Sequence, residues 1–142
     1  MPGVFERDGI RFQYPENWSL ETGDAESGWT VSLQSPDTAF LMLTYDESMP
    51  EPEEMARTAL EALQGEYKDL EAEDALETVA AQPAVGHDIR FFSFDLTNTC
   101  VVRSFYSGAG TVLLLWQLND LESETNEPVL RAICASLRVE ED

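Results

Sequence analysis

Residues 89–118 read IRFFSFDLTNTCVVRSFYSGAGTVLLLWQL and hold three apolar stretches separated by short polar or glycine-containing segments. This pattern predicts strands at 89–96, 100–105 and 112–118, with hairpin turns at Thr97-Asn98-Thr99 and Gly108-Ala109-Gly110. Strands joined this tightly must be antiparallel. The run Val112-Leu113-Leu114-Leu115-Trp116 is continuously apolar, which indicates a strand covered on both faces.

The first half of the chain predicts three further strands. Apolar residues alternate with polar ones at 10–14, 29–35 and 39–45, and proline or aspartate residues follow at the turns. Residues 19–28 are polar and are assigned to a loop. The pattern at 70–79 is mixed, and a strand is assigned there because the strands that follow need an edge partner.

Two segments have the helical period of 3.6 residues. The first begins at Ser48 or Glu51 and is predicted to end with Gly65 as its C-cap. The second is predicted to begin at Asn126 and to continue through Leu137. Each has one apolar stripe, so each is expected to cover part of the sheet.

These elements predict one α+β domain over the 142 residues. Their order is β-β-β-α-β-β-β-β-α, with an antiparallel sheet of about six to seven strands and two main helices. At this length a single domain is the expected organisation.

The composition excludes several classes of function. With 28 acidic and 8 basic residues the net charge is −20, which opposes binding to nucleic acid and to anionic membranes. One His and two Cys are too few for a zinc site of the usual Cys/His kind, and no cofactor is expected. The N-terminus lacks the basic and apolar segments of a secretory signal, so a cytoplasmic location with reduced cysteines is predicted.

One constellation of residues suggests catalysis. His87 stands beside Asp88, and such a pair could act as a general base on Ser93, Ser104, Ser107 or a cysteine. The alternative is a turn histidine beside a solvated aspartate. We expect the second arrangement, because Gly86 directly precedes His87 and glycine is typical of turns.

Acidic clusters suggest two kinds of binding. Hard cations could bind the cluster Asp46, Glu47, Glu51, Glu53 and Glu54 or the cluster Glu122, Glu124 and Glu127, although solvated helix ends explain both. The densest acidic run could dock a basic partner protein, or it could be a solvated edge strand whose charge blocks pairing with other sheets. That run comprises Glu66, Asp69, Glu71, Glu73, Asp74 and Glu77.

The acid excess has a further explanation in adaptation to high salt, because ions screen the self-repulsion of a strongly charged chain.

Residues 5–18, FERDGIRFQYPENW, resemble the opening of the Mog/PsbP-like superfamily. The Gln82-Pro83-Ala84 segment before the aromatic strand and the closing helix around 133–137 are also similar to that superfamily. The resemblance implies a scaffold used for binding, with members that include a photosystem II subunit, a Ran-binding protein, envelope lipoproteins and effector chaperones. No partner-contacting residue of those proteins matches a position in this chain, so no site is transferred.

The residues and the resemblance together predict a non-enzymatic module that binds another protein, as an adaptor or chaperone, with no bound cofactor. The oligomeric state is left open. The alternative is a small hydrolase that uses His87 with a nearby serine, cysteine or carboxylate. A weaker alternative is a protein that binds a hard cation.

Overall fold

The computed structural model describes residues 2–108 and 110–139. This part of the chain forms nine strands and two helices, which confirms the α+β class. The elements in chain order are β1 (Gly3–Arg7), β2 (Ile10–Tyr14), β3 (Ser19–Ala25), β4 (Gly28–Gln34), β5 (Phe40–Asp46), α1 (Pro52–Glu66), β6 (Glu71–Val79), β7 (Gln82–Ser93), β8 (Leu96–Ser107), β9 (Gly110–Asn119) and α2 (Ser123–Ser136).

Seven of the strands form one antiparallel sheet in the order β3-β4-β5-β9-β8-β7-β6. Each neighbouring pair except β5 and β9 is joined by a short turn or loop, as hairpin connections require. The β5–β9 pair joins the two halves of the chain in the middle of the sheet, with Leu43 opposite Leu114. The antiparallel sheet has the predicted number of strands, although the predicted strand at 10–14 is β2, which lies outside it, and β3 takes part instead. β6 is one of its two edge strands, as expected.

The two faces of the sheet bury different side chains of β9. Leu113 and Leu115 pack with Ile89 and Val102 under α1, on what we call the α1 face. Val112, Leu114, Trp116 and Leu118 belong to the larger core on the opposite side, the α2 face, together with Leu130 and Ile133 of α2. The prediction that the apolar run of β9 is covered on both faces is confirmed.

Two strands are additional to the predicted order. β1 pairs with β2 through a tight turn at Asp8 and Gly9, both of which have positive φ, and the hairpin forms a separate two-stranded sheet. The assignment of residues 19–28 to a polar loop was wrong, because β3 pairs with β4 over its full length. β3 is exposed at every position except Leu20, which packs against the core, so it shows no apolar alternation and is held mainly by backbone hydrogen bonds.

The turn predicted at Thr97-Asn98-Thr99 was also wrong. The β7–β8 hairpin turns at Phe94 and Asp95, and Thr97 already pairs with Phe92 in the ladder. The polar residues 97–99 lie near the end of the sheet, where a strand is only partly buried. In the predicted turn at Gly108-Ala109-Gly110, Ala109 lies outside the described residues.

The helix ends differ from prediction at two positions. α1 begins after Glu51, as predicted, but continues through Gly65, and the N–H of Tyr67 closes its last turn on Leu63. α2 begins at Ser123 instead of Asn126, whose buried side chain bonds Asp37 at 3.1 Å. Within the described ranges, neither helix has the length and apolar character that a bilayer crossing requires.

Candidate functional site

The α2 face of the sheet is covered unevenly. The β1–β2 hairpin packs near β4, with the rings of Phe5 and Trp29 centred 5.4 Å apart, and α2 packs on β2 and β9. Beyond α2 the floor formed by β8, β7 and β6 borders two adjoining cavities of about 640 and 600 Å³. We call them together the α2 groove, because they share Glu77, Val101, Arg103 and Arg131.

Arg103 of β8 lies where the two cavities meet. Although it is charged, only 8% of its surface is exposed. Its Nε donates to Glu77 of β6, and its Nη2 donates to Asp88 of β7 at 2.8 Å. Nη1 donates to the carbonyl oxygens of Val102 at 2.9 Å and His87 at 3.3 Å. Two carboxylates and two carbonyls therefore compensate the buried guanidinium, as a buried charge requires.

Gly86 leaves space for this arrangement. It stands opposite Arg103 on β7, so no side chain separates the guanidinium from β6. A Cβ at this position would lie 1.7 Å from the carbonyl oxygen of Val102, far inside van der Waals contact. Glycine is thus required by the close approach of the two strands.

The acidic end of the groove is the cavity of about 640 Å³. Its lining carries five carboxylates and three guanidinium groups, namely Glu71, Glu73, Glu77, Asp88 and Glu127 with Arg90, Arg103 and Arg131. Glu77 and Asp88 bond Arg103, and Glu127 bonds Arg131 at 3.1 Å. Glu71 and Glu73 are exposed and form no ion pair with any residue that the structure describes.

The acidic run singled out in the sequence does not form one surface. Glu66 ends α1 and Asp69 lies in the turn before β6. Because side chains alternate along a strand, Glu71, Glu73 and Glu77 line the α2 groove, whereas Asp74 points to the α1 face. The structure therefore brings three of the six predicted docking residues together at one edge of the sheet.

The apolar end of the groove is the cavity of about 600 Å³. Val79, Val101 and Leu114 contribute apolar walls, and the guanidinium carbon of Arg131 lies 5.5 Å from the ring centre of Trp116. Cys134 of α2 also lines this end. Its burial, followed by the negative charge of Glu77, raises the pKa of its thiol to about 12.

His87 lies on the α1 face, away from Asp88. Its Nδ1 is 3.1 Å from Oδ1 of Asp74, in a cleft of about 390 Å³ that Glu53 and Arg57 of α1 also line. The His87–Asp88 pair that was considered does not form, because consecutive strand residues point to opposite faces. Asp88 bonds Arg103 instead. The expected turn histidine is wrong as well, because His87 lies within β7.

The serines considered as candidate nucleophiles do not line the His87 cleft. Ser104 is buried and donates to the carbonyl of Val112 at 2.9 Å, Ser107 is buried, and Ser93 lines a different cavity near the end of β7. In this structure His87 has a carboxylate partner, Asp74, but no serine or cysteine among the residues that line the cleft.

The two cysteines are separated by the sheet. Cys100 belongs to the core of the α1 face, whereas Cys134 packs against the core of the α2 face, and both are free. Burial raises the pKa of the Cys100 thiol to about 12 as well. Both side chains are therefore neutral thiols near pH 7, the form that is a poor nucleophile and metal ligand.

One carboxylate in each acidic cluster considered for cation binding is held by hydrogen bonds within the protein. Asp46 accepts hydrogen bonds from the backbone and the hydroxyl of Ser48, at 2.9 and 2.6 Å. Glu122 accepts from the backbone and the hydroxyl of Thr38, at 3.2 and 2.8 Å. Across residues 2–108 and 110–139, no three His, Cys, Asp or Glu side chains are grouped so that they could hold a metal ion.

Arg103 is the main site residue that the sequence prediction missed. The signal was present, because Arg103 is the one charged residue in the otherwise mainly apolar segment 100–105. A charge within a buried strand indicates an ion-pair partner on a neighbouring strand. The sequence could not name Glu77 and Asp88, since their pairing depends on the register of three strands.

No family profile matches the chain, and no curated protein matches it in sequence. Solved structures do match it. A Bacteroides thetaiotaomicron protein superposes with a TM-score of 0.64 at 12% identity over 98% of this chain, which spans only 48% of that longer protein.

Two further structures are matched over most of their own length. Cyanobacterial PsbP (CyanoP) from Synechocystis has a TM-score of 0.61 at 16% identity, covering 98% of this chain and 91% of that one. LpqN of Mycobacterium tuberculosis, described as involved in cell envelope biogenesis, has a TM-score of 0.53 at 13% identity, covering 99% and 90%. At these identities the likeness concerns the fold alone. The chain has the PsbP-like α+β fold, and the resemblance seen in its sequence is confirmed at that level.

Proposed function

We propose that this protein is a non-enzymatic binding module that docks a basic segment of a partner protein at the acidic end of the α2 groove. The observation that carries the proposal is the concave lining there, with five carboxylates against three guanidinium groups. Arg103 is already neutralised by Glu77 and Asp88, and Arg131 is paired with Glu127. Glu71, Glu73 and Arg90, which stands opposite Glu71 on β7, remain as exposed charges, so the acidic end keeps a net negative charge.

The fold supports a binding role only in general terms. PsbP and LpqN share the fold, but a fold shared at 16% and 13% identity does not by itself specify a function. Charge complementarity at such a groove increases the association rate and selects the partner more than it adds affinity. We therefore expect capture of the partner to depend strongly on ionic strength.

The test compares two double variants with the same change in net charge. Glu71→Gln with Glu73→Gln removes the free carboxylates of the groove, and Glu21→Gln with Asp24→Asn removes exposed carboxylates on the opposite edge strand, β3. Each tagged protein is used to capture partners from its own cell lysate at 50 mM and 500 mM KCl, with identification by mass spectrometry.

We expect the wild type and the β3 variant to retain one stoichiometric partner at low salt. The groove variant should lose most of it, and high salt should release it from all three proteins. Equal retention by the groove variant, or no enriched partner, would contradict the proposal.

A second candidate function is hydrolysis at the His87 cleft. The observation that favours it is the Asp74–His87 contact, which orients an imidazole in a cleft of about 390 Å³. With no serine or cysteine lining that cleft, His87 would have to activate a water molecule as the nucleophile. An activity screen of esters, phosphoesters and amides tests this candidate, and turnover that persists in His87→Ala would exclude the mechanism.

A further inference from the structure

We propose that the apolar end of the α2 groove binds a small apolar carboxylate, with Arg131 and Arg138 holding the carboxylate and the sheet floor contacting the chain. This site adjoins the acidic end and shares Arg131 with it, but the proposal does not depend on the docking of a protein partner there.

The shape of the cavity fits an organic ligand. At about 600 Å³ it lies within the usual size range of small-molecule sites, which combine apolar walls with a few polar groups. Side chains from four elements form the walls, with Val79 from β6, Val101 from β8, Leu114 from β9 and Cys134 from α2. The neutral Cys134 thiol adds to the apolar character of this wall.

The charge of the lining differs from that of the whole chain. The chain has 28 acidic and 8 basic residues, yet three of the basic residues and only one acidic residue, Glu77, line this end. Arg103 is compensated by Glu77 and Asp88, and Arg131 is paired through Nε with Glu127. Arg138 therefore brings a guanidinium group that has no carboxylate partner among the described residues. The net charge of −20 repels an anionic ligand, but salt at physiological concentration screens charges that lie more than about 8 Å from the site.

The guanidinium groups of Arg131 and Arg138 both have N–H donors that bond no described residue. Arg131 contacts Glu127 through Nε only, and its terminal nitrogens form no hydrogen bond with the residues at 2–108 and 110–139. Arg138 is placed by its backbone, which exchanges hydrogen bonds of 2.9 and 2.8 Å with Arg11. Its Nη1 bonds the carbonyls of Ala135 and Leu137, and the described part of the chain offers it no carboxylate. Guanidinium groups with free donors bind carboxylates in the strong charge-assisted geometry.

The experiment is calorimetric titration of the full chain with octanoate and with octylammonium, which carry the same alkyl chain and opposite charges. We expect saturable binding of octanoate at one site, at least tenfold tighter than binding of octylammonium. Acetate should show no saturable binding, since it lacks the chain that contacts Val101 and Leu114. Equal affinities for the two eight-carbon ions, or no saturable binding of octanoate, would overturn the proposal.

Variants locate the site. Arg131→Gln with Arg138→Gln should weaken octanoate binding at least tenfold, whereas Arg57→Gln with Arg7→Gln, which makes the same change in charge away from this end of the groove, should leave it unchanged. Thermal melting establishes that each variant is folded before titration. Unchanged affinity in the groove variant, or an equal loss in the control variant, would place octanoate elsewhere and contradict the assignment.

Discussion

Gly86 lies opposite Arg103, the centre of the charged cluster, at a point where β7 and β8 approach each other closely. The carbonyl oxygen of Val102 occupies the position that a methyl side chain at residue 86 would need. We expect Gly86→Ala to lower the free energy of unfolding by at least about 2 kcal/mol, because β7 and β8 would have to move apart. Urea unfolding measures the difference.

Gly65 provides the control for that prediction. It lies inside α1, and a Cβ there would meet nothing within 4 Å. Gly65→Ala should therefore raise the free energy of unfolding by about 0.5–1 kcal/mol, as expected for an alanine in a helix. Similar effects of the two substitutions would contradict the close-approach argument for Gly86.

The buried thiol of Cys100 and the half-buried thiol of Cys134 predict a pH dependence of stability. Burial raises the pKa of each thiol from the ordinary 9.0 to about 12, so the folded state disfavours the thiolate. Their contribution to stability is complete below pH 9 and is lost as the pH rises towards 12. Between pH 9 and 10 the loss is about 1 kcal/mol per thiol.

Urea unfolding at pH 8, 9 and 10 tests this dependence in the wild type and in Cys100→Ala with Cys134→Ala. Between pH 9 and 10 the free energy of unfolding of the wild type should fall by about 2 kcal/mol more than that of the double variant. Parallel losses in the two proteins would mean that the thiols are not buried as described.

At the scale of elements, the β7–β8 hairpin tip carries backbone strain and an exposed aromatic ring. Phe94 and Asp95 have φ of 54° and 60°, and the Phe94 residue is 96% exposed. A two-residue turn of this kind favours Asn-Gly. Replacing Phe94-Asp95 by Asn-Gly should stabilise the protein by about 1 kcal/mol, because the strain disappears and no buried area is lost.

The control for the turn is Leu121→Asn, which removes another exposed apolar side chain, at 80% exposure, from a position without positive φ. Thermal melting should show a higher midpoint for the turn variant and little change for Leu121→Asn. A lower midpoint for the turn variant would show that Phe94 makes a stabilising contact.

The same hairpin shows what the sequence could and could not predict about the elements. The apolar run of β9 was sufficient to predict a strand between two layers, because a strand covered on both faces is apolar at consecutive positions. The prediction misplaced the β7–β8 turn, because Phe94 is an unusual turn residue whereas the polar residues 97–99 have the composition of a turn. β3 was missed because an exposed edge strand has no apolar alternation to detect.

The candidate site was predictable only in part for a related reason. The acidic run was visible in the sequence, but the alternation of β6 divides it between two faces, and only Glu71, Glu73 and Glu77 line the groove. The groove itself arises because α2 packs on β2 and β9 and leaves β6–β8 open. Such placement of a helix on a sheet depends on the packing of all layers and has no local signal.

At the scale of the whole molecule, the net charge of −20 predicts that salt stabilises the fold. Many like charges repel one another in the compact state, and ions screen that repulsion. We expect the melting temperature to rise with KCl between 50 mM and 2 M. The rise should be smaller in a variant with Glu21, Asp24 and Glu26 replaced by amides, and a melting temperature independent of KCl would contradict the prediction.

The central claim of a protein-docking groove is tested most directly by photo-crosslinking in the cell of origin. A photoreactive phenylalanine analogue is placed at Arg90, which is exposed and lines the acidic end of the groove, or at Thr22, which is exposed on the opposite edge strand. We predict one discrete crosslinked protein from position 90 that disappears when Glu71 and Glu73 are changed to Gln, and no such product from position 22. Identical products from both positions, or a product at position 90 that survives the loss of both carboxylates, would contradict the claim.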